Sequence, residues 1–384
     1  MGMHRTTYEL SVSKSLRSFI FTTLAVSSPF YLSSLGYNSI EIGIALFVSM
    51  VSSTLFVYLF PAIKIRNRTR AFTLAALLSL SLVLLILYHG IIFYIVAVIV
   101  GGISLSGRDL TANLAIEQYA ISHYETDRKS KNHAFSIYNF SSYGVGAAAS
   151  ASLLLYRVPD YNLLFFIDFI MAVAQFIPYA MVKFPEIEKK KINVVMDDKT
   201  SGNVRSMKYL FSMDALGGGL VNTAILSLWF KYVYNITLSE AGIIFLIVNI
   251  VTALSILLSS KLSNRMGVVR TMVYTHLVSN VFLILIPIYH SLVISELFLF
   301  LRQTTSQMDV PARDSFTNTI IPGEYRIKAN SVFNSVRTGF QVPGPLISSI
   351  LIDAMPATVF YSAGSIKMAY DLLFFRKYRN FRDA

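Results

Sequence analysis

The chain contains no cysteine, which excludes disulfide staples, thiol catalysis and cysteine-ligated metal. Charge is scarce as well: 14% of the 384 residues are Asp, Glu, Lys or Arg, whereas 54% are hydrophobic. A soluble domain of this length needs a charged skin, and these residues are too few to build one. HExxH, GxSxG and phosphate-loop motifs are missing, and the acidic residues are scattered over several apolar segments. That distribution does not assemble an enzyme active site. Neither a cofactor nor a metal is expected. Acidic side chains are the scarcer sign, 21 against 33 basic, giving a net charge of +12.

What the chain has in abundance is apolar sequence, with a mean hydropathy of +0.57. About 20 apolar residues cross a bilayer core of roughly 30 Å, and runs of that kind recur from end to end. They predict helices near 15–35, 40–62, 71–89, 91–118, 132–156 and 161–183, then 206–232, 238–260, 270–289, 292–320, 328–351 and 356–375. The expected fold is an all-α polytopic membrane protein with twelve transmembrane helices in two six-helix bundles. Residues 1–183 form the first bundle and 206–384 the second. The charged stretch 184–205, with Pro185 and Gly202, links them.

Basic residues orient this map. With the N-terminus inside, 26 of the 33 lie in cytoplasmic segments such as "KIRNRTR", "DRKSK" and "RKYRNFR". The outer loops hold Arg157 and Lys231 alone, and five more lie within helices. Such asymmetry is the positive-inside pattern. Both termini are expected in the cytoplasm, with the chain in the plasma membrane and its positive charge facing anionic head groups. A nucleic-acid partner is not expected. The polar start runs straight into a span, so no separate signal peptide is expected.

The halves repeat each other. "NSIEIGI" at 38–44 opens the second helix and "TLSEAGI" at 237–243 the eighth, and "FSIYN" at 135–139 parallels "NSVFN" at 330–334. Six helices repeated in parallel after a cytoplasmic linker is a two-bundle transporter plan. The second half also carries "SKLSNRMGVVR" between its second and third helices, with Leu262, Arg265, Gly267 and Arg270. In this the chain resembles the major facilitator superfamily, whose loop signature is G-x-L-A-D-R-x-G-R-R. Asn264 stands where that signature has Asp, and "PAIKIRNRTR" in the first half keeps little beyond Arg68 and Arg70. The resemblance implies gating by this loop, and the Asn264 exchange puts the usual lock in question.

Charges inside apolar segments are expensive and mark pathways. "RQTTSQMDVPARDSF" places Arg302, Ser306, Asp309 and Arg313 along one helical stripe, with Pro311 freeing the carbonyl of Gln307. "GGISLSGRDLTANLAIEQ" does the same with Gly102, Ser106, Asp109, Asn113 and Glu117, and Arg108 a step aside. Asp168, Asp214 and Arg337 are further buried charges expected on the solute or proton pathway. Asp109 is the leading candidate across from Arg302 and Asp309. Lys367 and Asp371, four apart, read as a pair on their own helix. His276 reads as interfacial, and "DALGGGL" at 214–220 as a packing or bending site. Tyr31, Tyr138, Trp229 and Phe333 are candidate cavity aromatics.

The expected function is secondary active transport of a small solute by alternating access, with protons the candidate coupling ion and a monomer in the lipid bilayer the expected form. A transport-inactive sensor or receptor, or a lipid translocator on the same scaffold, is the alternative.

Overall fold

A computed structural model describes residues 3–107, 112–125, 128–156, 160–186, 196–322 and 325–381. The described regular structure is helical. Along the chain it runs α1 Arg5–Ser34, α2 Ser39–Leu59, α3 Asn67–Leu87, α4 Ile91–Gly101, α5 Asn113–Tyr124, α6 Arg128–Ser152, α7 Tyr161–Ala174 and α8 Phe176–Met181. It continues as α9 Asp198–Leu220, α10 Thr223–Tyr234, α11 Leu238–Met266, α12 Val268–Leu285, α13 Leu292–Gln303, α14 Asp309–Ile320, α15 Arg326–Gln341, α16 Gly344–Ala354 and α17 Thr358–Tyr378. Taking α4–α5, α7–α8, α9–α10, α13–α14 and α15–α16 as interrupted spans yields the twelve expected crossings. Among the described residues, six segments are long and apolar enough to cross a membrane by length and composition alone. The polar α1 is not among them, because its apolar run is broken by Glu9, Lys14, Arg17 and many Ser and Thr, nearly all buried. A helix wrapped by others can be polar; one facing lipid cannot.

Two of these five interruptions fall in the charge-bearing segments. The 91–118 helix stops at Gly101, where Gly102 turns left-handed (φ 55°), and helix resumes at Asn113. A Cβ on Gly101 would stand 2.5 Å from Ser81 Oγ, so close approach to α3 requires glycine there. The 292–320 helix stops at Gln303 and restarts at Asp309. The continuous stripes expected over both segments are therefore broken. Pro311 does not leave the Gln307 carbonyl free either, since Val310 N donates to it at 3.4 Å.

The two matched helix starts share a physical cause. Asn38 Oδ1 accepts from the backbone of Ile40 and Glu41, and Glu41 Oε2 accepts from Asn38 N at 2.9 Å. Thr237 Oγ1 accepts from Glu240 N at 3.2 Å, and Glu240 Oε2 accepts from Thr237 N at 2.7 Å. Both are reciprocal capping boxes. The conserved spacing in the repeat is helix-start chemistry.

Packing divides the chain into two compact units. Met1–Lys189 and Asn222–Asn249 make the first, and Lys190–Val221 and Ile250–Ala384 the second. Residues 222–249 thus fall in the expected second half yet pack in the first unit, where Ser227 Oγ donates to Val26 O at 2.6 Å. There too Asn249 Nδ2 donates to Ser150 Oγ at 3.2 Å. In the first unit α1 is central, packed on α6, α7 and α10. In the second unit α9 is central, packed on α15, α16 and α17.

Candidate functional site

The second unit holds a charge network built from four segments. Asp214 on α9 is nearly fully buried, and Lys367 Nζ on α17 donates to its Oδ1 at 2.6 Å. Gly217, one turn along α9, is what admits that lysine: a Cβ there would stand 2.6 Å from Lys367 Cγ. Arg313 Nη1 on α14 lies 3.7 Å from Asp214 Oδ2 and donates to Asp309 Oδ2 at 2.8 Å. His276 on α12 spans two carboxylates, with Nδ1 2.7 Å from Asp371 Oδ1 and Nε2 3.6 Å from Asp214 Oδ1. Asn280 Nδ2 donates to Asp371 Oδ2 at 2.8 Å. Phe211, Phe316, Phe333, Tyr370 and Phe374 pack together beside this network, with the Arg313 guanidinium over the Phe211 ring at 6.0 Å. An apolar floor of that kind keeps water out and strengthens every charge interaction above it.

Around these pairs stand charges held differently. Arg337 on α15 lies within electrostatic reach of Asp214, Asp309, Asp314 and Arg313, yet no hydrogen bond or ion pair joins it among the described residues. It is only partly buried, and Asp314 is exposed. Arg302 Nη1 donates to Gln303 Oε1 at 2.8 Å, which also accepts from Ser306 Oγ at 2.9 Å. Gln303 Nε2 reaches Thr252 Oγ1 at 3.1 Å. Arg302 and Asp309 are therefore held by different partners.

The first unit holds a second cluster, fully buried. Arg17 on α1 clasps Glu117 on α5 with two parallel bonds, Nη1 to Oε1 at 2.6 Å and Nη2 to Oε2 at 2.7 Å. Tyr179 on α8 donates to Glu117 Oε1 at 2.7 Å, and Tyr138 on α6 donates to Oε2. Charge and hydrogen-bonding capacity are matched, the condition for burying an ion pair. Further along α1, Thr23 Oγ1 lies 2.8 and 2.9 Å from the two oxygens of Asp168, which is 0% exposed.

The expected pathway residues divide accordingly. Asp214 and Asp309 are brought together through Arg313, with Arg337 in range; Arg302 bonds the neighbouring Gln303, and Asp168 belongs to the other unit. Arg108 and Asp109 lie outside the described residues. Lys367 and Asp371 do not pair with each other, because Lys367 turns to Asp214 and Asp371 to His276. His276 is buried between carboxylates and is not interfacial. Tyr31 packs against the buried Tyr94 and Phe165 and the half-buried Tyr161, and Trp229 against the buried Phe230 and the half-buried Tyr234. Phe333 packs on Phe211. In the loop, Leu262 and Arg265 end α11, Gly267 takes φ 82° as the N-cap of α12, and Arg270 is exposed in its first turn. Asn264 lies within α11. Arg17 was readable as more than a cytoplasmic flank, since it falls inside the 15–35 span.

Comparisons with known proteins agree with this architecture. The family model of the Major Facilitator Superfamily matches residues 209–381. An uncharacterized membrane protein of Saccharomyces cerevisiae, YJR124C, is 27% identical over 190 residues, 49% of this chain and 40% of that protein. The chain thus covers well under half of the yeast protein's length. Among solved structures, the nucleoside transporter NupG superposes with a TM-score of 0.73 at 11% identity, covering 98% of this chain and 100% of that one. A bacterial homolog of the human lysosomal transporter Spinster, inward-facing and unoccupied, gives 0.72 at 14% identity, covering 99% and 98%. The POT family transporter PepTSo gives 0.72 at 11% identity, covering 100% of both chains.

Proposed function

We propose that this chain, a membrane protein of the major facilitator superfamily by its fold and by the match over its second half, is a secondary transporter of a small solute. The observation that carries this reading is the buried network on Asp214. A bare charge at such depth costs at least about 2.5–3.5 kcal/mol, and removing two ions from water costs several kcal/mol each. A fold that needed only stability would use apolar residues there. Four segments converging on exchangeable partners form a device that can trade one pairing for another. Lys367, Arg313 and His276 all face Asp214, so a proton or a charged solute arriving at one member shifts the others.

Within this reading Arg337 contacts the solute, since among the described residues around Asp214 it is a cation in electrostatic reach of the carboxylates with no ion pair to them, and an anionic or carbonyl group would satisfy its donors. Asp214, Asp309 and His276 form the coupling centre and protons are the coupling ion. Transport proceeds by alternating access of the 1–183 and 206–384 halves about the 184–205 linker, with the termini in the cytoplasm of a plasma-membrane monomer. The packing of α10 on α1 is the closed outer gate.

The test is uptake and counterflow in proteoliposomes with a broad solute panel, with and without an imposed pH gradient. Uptake of at least one solute, accelerated by the gradient and lost in Asp214→Asn, is expected. A panel in which no solute exchanges, from protein shown to be folded, would overturn the reading.

A further inference from the structure

The Asp168–Thr23 contact has too few hydrogens for a carboxylate. Thr23 Oγ1 has one hydrogen, yet four oxygens surround it: Asp168 Oδ1 and Oδ2, Ile20 O at 2.9 Å and Phe19 O at 3.1 Å. If the hydroxyl donates to its own helix, as buried Thr on a helix commonly does, then Asp168 must supply the hydrogen between them. If it donates to Asp168 instead, an ionised carboxylate at 0% exposure has a single hydrogen bond and, among the described residues, no cation bonded to it. Burying an ion so poorly solvated is strongly unfavourable. The neutral acid, O–H to Thr23 Oγ1 and on to Ile20 O, closes the accounting.

Asp168 is also not isolated along its helix. Asp168 on α7, Gln175 at the α7–α8 junction, where the backbone stays right-handed, and Tyr179 on α8 recur at spacings of seven and four, and both ends of that set bond to α1, at Thr23 and Arg17. Gln175 lies between them, 0% exposed, with neither its Oε1 nor its Nε2 hydrogen-bonded among the described residues. Ser27 Oγ, one turn beyond Thr23, is likewise buried without a partner. Four orphaned or half-satisfied polar side chains on one helix–helix seam are a place where water belongs.

We propose that Asp168 is a neutral, proton-bearing carboxyl, and that the α1–α7 seam through Gln175 is the route by which it exchanges that proton. The use of this proton in coupling rests on the transporter reading above; its presence does not. In the exchange step the Asp168 O–H bond breaks, its electron pair stays on the carboxylate, and the proton passes to a water held by Gln175. The titratable groups facing the site are Tyr156, Tyr161 and Tyr31 towards one end, and Tyr179, Glu117 and Arg17 towards the other. The neighbouring α3 brings Arg68 and Arg70 only in its first turn.

Infrared spectroscopy of the full chain in lipid nanodiscs tests this without any solute. The wild-type minus Asp168→Asn difference should show a protonated-carboxyl stretch at neutral pH that moves down in heavy water. Thr23→Val should keep that band but shift it, which preserves the test if Asp168→Asn folds poorly. Gln175→Leu should keep the band and slow its heavy-water shift. A carboxylate band in place of the acid band, or no shift in Thr23→Val, overturns the neutral acid. An unchanged exchange rate in Gln175→Leu overturns the route.

Discussion

Lys367 Nζ stands 2.6 Å from Asp214 Oδ1 because the lysine runs across Gly217, where any Cβ would meet its Cγ at 2.6 Å. Gly217→Ala should therefore displace the lysine and lower thermal stability by about 1–3 kcal/mol, the usual cost of overpacking. Gly218→Ala, whose Cβ would meet only Lys367 Nζ at 3.9 Å, should be neutral or slightly stabilising, since Ala is the better helix former. Melting curves in detergent compare the two. Equal effects would show that the ion pair does not depend on this crossing.

In the first unit, removing one partner of the Arg17–Glu117 pair leaves the other buried and unpaired. Glu117→Ala should cost about 3–5 kcal/mol. Combining it with Arg17→Met should restore much of the loss, because the stranded charge is gone. Tyr138→Phe should cost less, on the order of 1.5–3 kcal/mol, for one hydrogen bond to a charged group. A double-mutant cycle by thermal unfolding decides it, and purely additive losses would rule out the coupling.

The span map was legible because apolar runs reflect lipid contact, which is local to each segment. The pairing of charges was not. Lys367 and Asp371 satisfy a helical spacing rule, yet the rule sees one helix, and the stronger partners of both come from α9 and α12. The interruption after Gly101 was hidden for a related reason: helical spacing assumes a continuous helix, while Gly102 turns left-handed and ends it. Arg17 falls inside an expected span, but its partners were hidden. Glu117 and Tyr179, which make its burial tolerable, lie 100 and 162 residues away in sequence.

A pH dependence is expected outside the spans. Glu125 accepts from His4 N at 2.8 Å, from Thr7 Oγ1 at 2.9 Å and from Ser130 Oγ. Partial burial opposes ionisation, but these hydrogen bonds and the nearby His4 outweigh it and hold the carboxyl below its ordinary range. A depressed carboxyl contributes stability above its unfolded value, and that contribution is lost as pH falls through its folded value. Amide exchange at the start of α1 should accelerate on acidification through and below the ordinary carboxylate range. Glu125→Gln should flatten that profile, and an identical profile in the variant would dismiss the clasp.

The contact of Ser227 with Val26 O at 2.6 Å marks the proposed outer gate. A Val26→Cys/Ser227→Cys pair introduces the only thiols in the chain, so oxidation can act nowhere else. Cross-linking should stop uptake, and reduction should restore it. Full uptake by cross-linked protein would mean that these segments never separate during transport.

Arg337 separates a solute contact from a structural charge. Arg313 and Lys367 each leave a buried carboxylate behind when neutralised, so their loss harms folding and function together. Arg337 has neither ion pair nor hydrogen bond among the described residues, and it is partly exposed. Arg337→Gln should therefore melt close to wild type. Its effect should appear in uptake, as a rise in KM of about tenfold or more, roughly 1.4 kcal/mol per decade, for the solute found by the proteoliposome screen. Arg337→Lys keeps the charge but loses the planar fork, so it should recover part of the affinity for an anionic group and less for a bidentate one. Unchanged KM in Arg337→Gln, alongside normal stability, would remove this residue from the solute path and return attention to Arg302 and Gln303.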